Sequence, residues 1–213
     1  GLDGTALGRP IQLEGEGWAA DLLHSAAAIP EQPPTSPEGF EGELRSYQAE
    51  ALAWLHFLES AGLGGILALD MGLGKTPTLL AFLRDRDEDT RPALVIAPPA
   101  VVGNWASDAA RFVPDLGVVV HHGTNRADAD EVAAEAAGAD VVLTTSGTAL
   151  RDVDALAAIG WSRIVLDEAQ VIKNPASETA QQLRRLEART RVVLTGTPIE
   201  NGLGDLWALL DFA

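Results

Sequence analysis

Six short apolar runs with helical stretches between them constrain this chain more than any other feature. The runs are GILALD (65–70), ALVIAP (93–98), LGVVVHH (116–122), DVVLTT (140–145), RIVLDE (163–168) and RVVLTG (191–196). They are continuously apolar where a half-exposed strand would alternate, which is the pattern of strands buried on both faces. The intervals carry helical patterns: Tyr47 to Ser60, with Leu52, Leu55 and Leu58 on one side, then Thr76 to Asp85, Asn125 to Ala137 and Pro175 to Glu187. Strand and helix in alternation predict an α/β fold, a parallel sheet with helices on both faces. Such sheets bind ligands at the carboxyl ends of their strands. The residues just after each run are therefore the candidates for function.

The 213 residues are 46% apolar, enough for one α/β domain with some appended sequence. A segment denser in Pro and Gly, PEQPPTSPEGF (30–40), marks a boundary. Three regions are expected: an extension over 1–29, with a short helical stretch around Trp18 to Ala28, a Pro-rich linker over 30–37, and the main domain over 38–213. The extension reads as the end of a preceding accessory domain, and the missing initiator Met suggests a piece of a longer chain. No apolar run approaches the roughly 18 residues that would span a bilayer. Cysteine is absent, which excludes disulfides and thiolate-metal sites and points to a reducing cytoplasm. Histidines occur only at 24, 56, 121 and 122, so no zinc-type cluster can be built, and His121 and His122 read as structural. The net charge of −16, with lysine only at 75 and 173, favours an acidic enzyme or interaction module over a phosphate-backbone binder.

The first run leads into Met71-Gly72-Leu73-Gly74-Lys75-Thr76 and then a helical stretch. Glycines permit a tight loop whose N–H groups converge on phosphate oxygens, and the following helix adds the positive end of its dipole. Lys75 can reach the β/γ-phosphates and the Thr76 hydroxyl can ligate Mg²⁺. The strict phosphate-loop pattern has glycine where this chain has Leu69. Asp70 reads as support for the loop, and Pro77 is tolerated in the first helical turn. A strand-to-helix turn can need glycine for geometry alone, but the strand–loop–helix context favours nucleotide binding. The fifth run ends in Asp167-Glu168, where Asp167 would hold Mg²⁺ and Glu168 would orient or deprotonate an attacking water. An acidic pair can also merely cap a helix. Together the two elements describe a nucleoside-triphosphatase.

LRSYQ (44–48), DMGLGKT (70–76), VIAPPAVVGNW (95–105), TTSGTAL (144–150), DEAQ (167–170), VIKNP (171–175) and LTGTPIEN (194–201) occur in that order. The ordered set resembles the N-terminal RecA-like lobe of SWI/SNF-like DNA-dependent ATPases, within helicase superfamily two, over roughly residues 38–213. The resemblance implies Mg-ATP as ligand, with Gly72, Leu73, Gly74, Lys75 and Thr76 at the phosphates and Gln48 at the adenine edge. It implies coupling roles for Gln170, Thr195, Gly196 and Thr197, where Gln170 replaces the family's usual His. It also implies double-stranded DNA as partner, with Asn104, Thr144, Thr145, Ser146 and Lys173 as tentative contacts, and leaves room for a protein partner on the duplex. Small hydroxyls and amides can bind phosphates without net charge, which partly answers the acidity. Trp105 reads either as core or as a base or sugar contact, and Lys173 either as a phosphate contact or as a surface side chain.

The family's second lobe, which supplies the arginines that complete the ATP site, has no matching segment here. Weak Mg-ATP binding and very slow hydrolysis are expected of this chain alone, and translocation on duplex DNA of the complete protein. Two alternatives stand beside this: a strand-separating helicase lobe of the DEAD/DEAH type, and a degenerate acidic protein-interaction module.

Overall fold

The computed structural model describes residues 5–6, 9–10, 22, 26–27, 29–70, 72–85, 91–123, 126–128, 131–167, 169–197 and 203–213. In chain order the main elements are α1 (Ser46–Ser60), β1 (Gly65–Ala68), α2 (Lys75–Arg84), β2 (Ala93–Ile96), α3 (Pro99–Phe112), β3 (Val118–Val120) and α4 (Val132–Ala137). They continue with β4 (Val141–Thr144), α5 (Ser146–Arg151), α6 (Val153–Ala157), β5 (Trp161–Leu166), α7 (Glu178–Leu183), β6 (Ala188–Thr195) and α8 (Leu203–Phe212). All six apolar runs are strands of one sheet, every pairing in it is parallel, and the order is β1-β6-β5-β2-β4-β3. A two-residue antiparallel ladder, Thr5–Ala6 with Arg9–Pro10, stands apart from it.

Continuous apolar strands are explained by where alternate side chains go. Val95, Val141, Leu143, Val165, Val192 and Leu194 enter one core with residues of α1, α2 and α3. Their neighbours Leu94, Ile96, Val142, Ile164, Leu166 and Val193 enter a second core with residues of α4, α6, α7 and α8. Both faces of the sheet are thus covered, as the sequence requires.

Two helices are shorter than their patterns predict. In place of a helix from Asn125, regular structure starts at Val132, because Asp128 Oδ1 accepts the Glu131 N–H at 3.1 Å and makes a turn first. Asn125 itself lies outside the described residues. In place of a helix from Pro175, α7 starts at Glu178, where the Ser177 hydroxyl caps Ala180 N–H at 3.2 Å. The helical stretch around Trp18 lies for the most part outside the described residues. Residues 30–37 contain no helix or strand. The chain beyond them docks on the domain: Leu44 N–H donates to the Thr35 carbonyl at 2.7 Å, and Phe40 stacks on Phe112 at 5.4 Å.

One charge inside an apolar strand has a structural purpose. Arg163 of β5 is 4% exposed and pairs with Glu59 of α1, with Nε donating to Oε1 at 2.7 Å. Its guanidinium also donates to the carbonyls of Phe82 and Asp85 and lies 4.0 Å over the Phe82 ring. A buried ion pair survives only when its remaining donors are satisfied, and here they are. The result ties β5 to the ends of α1 and α2.

Candidate nucleotide site

The site is built at the carboxyl ends of β1, β6 and β5. Register places Ala68 beside Thr195, and Val193 beside Leu166, so the residues following these three strands share one edge. The loop after β1 turns on two glycines in the left-handed region, Gly72 at φ 81° and Gly74 at φ 76°. At Gly72 a side chain would meet nothing within 4 Å, so the loop there borders open space. At Gly74 the left-handed backbone demands glycine, and a Cβ, 2.3 Å from Gln48 Nε2, would displace the Gln48 amide from the loop.

Lys75 is the first residue of α2 and its Nζ donates to the carbonyls of Leu69, at 2.7 Å, and Asp70, at 3.1 Å. The ammonium thus closes the loop across its base. Leu69, the departure from the strict pattern, contributes only its carbonyl here, while its side chain packs on the core. Asp70 supports the loop as read, accepting also from Leu73 N–H at 3.3 Å. Thr76 is half-buried in the first turn of α2, where Gly74 offers no side-chain cap and Pro77 no N–H.

Gln48 bridges α1 and the glycine loop. Its amide is buried; Nε2 donates to the carbonyls of Gly74 at 3.0 Å and Leu73 at 3.4 Å, and Oε1 accepts Arg45 N–H at 2.8 Å. These bonds brace the glycine loop against the start of α1. Tyr47 adds a second prop, its hydroxyl donating to the Leu73 carbonyl at 3.1 Å. Nothing in the sequence singled out Tyr47.

Asp167 follows β5 directly. Its N–H donates to the Ile96 carbonyl at 2.8 Å, and its Oδ2 accepts the indole N–H of Trp105 at 2.9 Å. Trp105 is 1% exposed, which decides for the core reading and against a base contact. Glu168 and Met71 lie outside the described residues. Gln170 is exposed in a 3-10 turn, Ala169–Val171. Thr195 ends β6 and its hydroxyl accepts the Thr197 N–H at 3.1 Å across Gly196, while the chain from Pro198 to Gly202 lies outside the described residues.

The tentative DNA strip divides. Asn104, on α3, is exposed, and Ser146 is half-buried at the start of α5. Thr144 and Thr145 are corrected: both are buried and their hydroxyls serve the protein. Thr144 Oγ1 donates to the His121 carbonyl at 2.8 Å, and Thr145 caps α5 by accepting Thr148 N–H at 3.3 Å. Lys173 faces Asp205 of α8 at 3.4 Å, each side chain 13% exposed, so its charge is turned toward the protein. Next to the strip, Asp152 gathers His121 Nε2 at 2.9 Å and Arg126 Nε at 2.8 Å. The Arg126 bond chiefly, helped by His121, holds the Asp152 carboxyl below its ordinary range.

Comparison with known proteins matches this arrangement to one family. The model for the SNF2-related domain matches residues 47–213. The chain is 42% identical over 193 residues to the Bacillus subtilis protein named "Putative ATP-dependent helicase/translocase YwqA", covering 89% of this chain and 21% of that protein. It is 38% identical over 182 residues to the ISWI chromatin-remodeling complex ATPase ISW1 of Saccharomyces cerevisiae, covering 83% of this chain and 16% of that protein. Among solved structures, the Sulfolobus solfataricus SWI2/SNF2 ATPase core in complex with dsDNA superimposes with a TM-score of 0.75 at 37% identity. That match covers 83% of this chain and 37% of the archaeal one. The chain thus spans about a fifth, or less, of the length of these curated relatives. A six-stranded parallel sheet of the RecA-like kind, a glycine loop closed by a lysine, and a family match across nearly the whole sheet agree, and the chain belongs to the SNF2-related domain family.

Proposed function

We propose that this chain is the nucleotide-binding lobe of an ATP-dependent translocase on double-stranded DNA, binding Mg-ATP at the loop between β1 and α2. The observation that carries the reading is that loop: two left-handed glycines, open space at Gly72, and Lys75 anchored across the base at the start of a ten-residue helix. Backbone N–H groups in such a loop, with the helix dipole behind them, suit a polyphosphate. The donor set fits magnesium too, since the Thr76 hydroxyl and the Asp167 carboxylate are hard oxygen ligands. Magnesium, when bound, supplies charge neutralisation at the phosphates. Lys75 binds and orients the phosphates, Glu168 positions and deprotonates the water, and Gln170, Thr195 and Thr197 sense the state of the site.

The DNA reading is supported by the archaeal relative solved with dsDNA and by the helicase/translocase name of the bacillar relative. We assign Asn104, exposed on α3, and Ser146, half-buried at the start of α5, to that contact. Efficient hydrolysis needs the arginines of a second lobe, and the absence of cysteine suits a cytoplasmic setting.

Calorimetric titration tests the reading, with Mg-ATP, Mg-GTP and a Lys75→Ala variant whose folding is checked by circular dichroism. Saturable ATP binding that the variant loses by about tenfold or more is expected, from loss of a charge-assisted contact. Equal binding by the folded variant, or none by the folded parent, would remove the basis for the site.

A further inference from the structure

We propose that Trp105 is a positioning residue for the Asp167 carboxylate, and through it for the Mg²⁺ site, an inference that rests on the Mg-ATP reading above. Asp167 is held twice, by different elements. Its main chain is fixed to β2, where its N–H donates to the Ile96 carbonyl at 2.8 Å. Its side chain is fixed to α3, the helix that follows β2, by the indole bond of 2.9 Å to Oδ2. With the backbone set by the sheet, the freedom left to this carboxylate is rotation about its side-chain bonds. The indole occupies one oxygen and thereby fixes the direction of the other. An indole N–H donates and never accepts, so this bond is a fixed donor on one carboxylate oxygen.

A simpler account would have Asp167 merely satisfy a buried indole. The fold has another way of doing that. Trp161, 0% exposed, donates to the backbone carbonyl of Leu156 at 2.9 Å. Trp105 is likewise buried yet donates to the Asp167 carboxylate, which follows β5, the strand paired with β6 beside β1. Partners that orient a metal ligand through a hydrogen bond typically govern affinity for the metal by 10–100-fold (order of magnitude).

The test uses the full-length protein, with Mn²⁺ as a paramagnetic substitute for Mg²⁺ titrated in the presence of ATP and followed by electron paramagnetic resonance. Two replacements are compared: Trp105→Phe, and β-(3-benzothienyl)alanine at position 105, which keeps the indole's shape and exchanges its N–H for sulfur. The expected result is a Mn²⁺ midpoint raised by about tenfold or more in both. Nucleotide affinity in EDTA stays unchanged, and the sulfur isostere melts at the parent temperature. A lowered melting temperature with an unchanged Mn²⁺ midpoint overturns the proposal and leaves Trp105 as core alone. If the unreplaced protein holds no Mn²⁺ with ATP, the Mg-ATP reading itself fails and this inference falls with it. The two failures are therefore distinguishable.

Discussion

Gln48 shows how a single side chain can brace a glycine loop from a distant helix. Its amide joins the first turn of α1 to the carbonyls of Leu73 and Gly74, and a Cβ at Gly74 would displace it. Truncation leaves two loop carbonyls and one N–H without this partner, at a cost of about 1–3 kcal/mol. Gln48→Ala is therefore expected to weaken ATP and GTP together, by about tenfold, with a lower melting temperature. Calorimetry with both nucleotides checks it; loss of ATP binding alone would instead make base reading the role of this residue. The sequence could suggest Gln48 only through resemblance, because the distance between positions 48 and 74 is spanned by folding and by nothing local. Trp105 and Asp167 illustrate the same limit. Their residue types were legible, and their bond was not.

Among the elements, strands were read more accurately than helices, and the reason is physical. Burial on both faces forces an unbroken apolar run, a signal that needs no knowledge of the neighbours. Helix ends depend on local side-chain turns that compete with the helix, as at Asp128 and Ser177. Polar clusters between elements were equally hidden. His121 at the end of β3 had no acidic neighbour in the sequence, yet Asp152, at the junction of α5 and α6, meets both it and Arg126. This junction carries a pH dependence of definite sign. Asp152 titrates below its ordinary range in the folded state, so its contribution to stability is complete above the usual carboxylate pKa. That contribution is lost as pH falls through the depressed value. Asp152→Asn is expected to melt earlier than the parent at neutral pH, with the gap closing only in strongly acidic solution. Thermal melts from pH 7 downward measure it, and a gap that widens on acidification would contradict the assignment.

At the scale of the whole molecule, acidity and phosphate chemistry are reconciled by segregation. On the proposed reading the phosphates are met by backbone N–H groups and Lys75, while the other lysine is paired with Asp205. The arginines that complete catalysis come, on that reading, from a second lobe. This chain alone is expected to turn ATP over about a thousandfold or more below the full-length protein, with little response to duplex DNA. A coupled-enzyme assay on the two chains decides it; comparable, DNA-stimulated rates would mean that the lobe needs no partner lobe.

The strand order has a consequence for how such a protein is made. The nucleotide loop hangs from β1, the first strand of this sheet in chain order, yet among the described residues β1 pairs in the sheet with β6 alone. Its pairing, Gly65 with Val192 through Ala68 with Thr195, must wait until the last strand has been synthesised. Contacts so distant in sequence close late and slowly. A nascent or prematurely terminated chain would thus carry the glycine loop and the side chains that brace it while the strand bearing the loop still lacked its partner in the sheet.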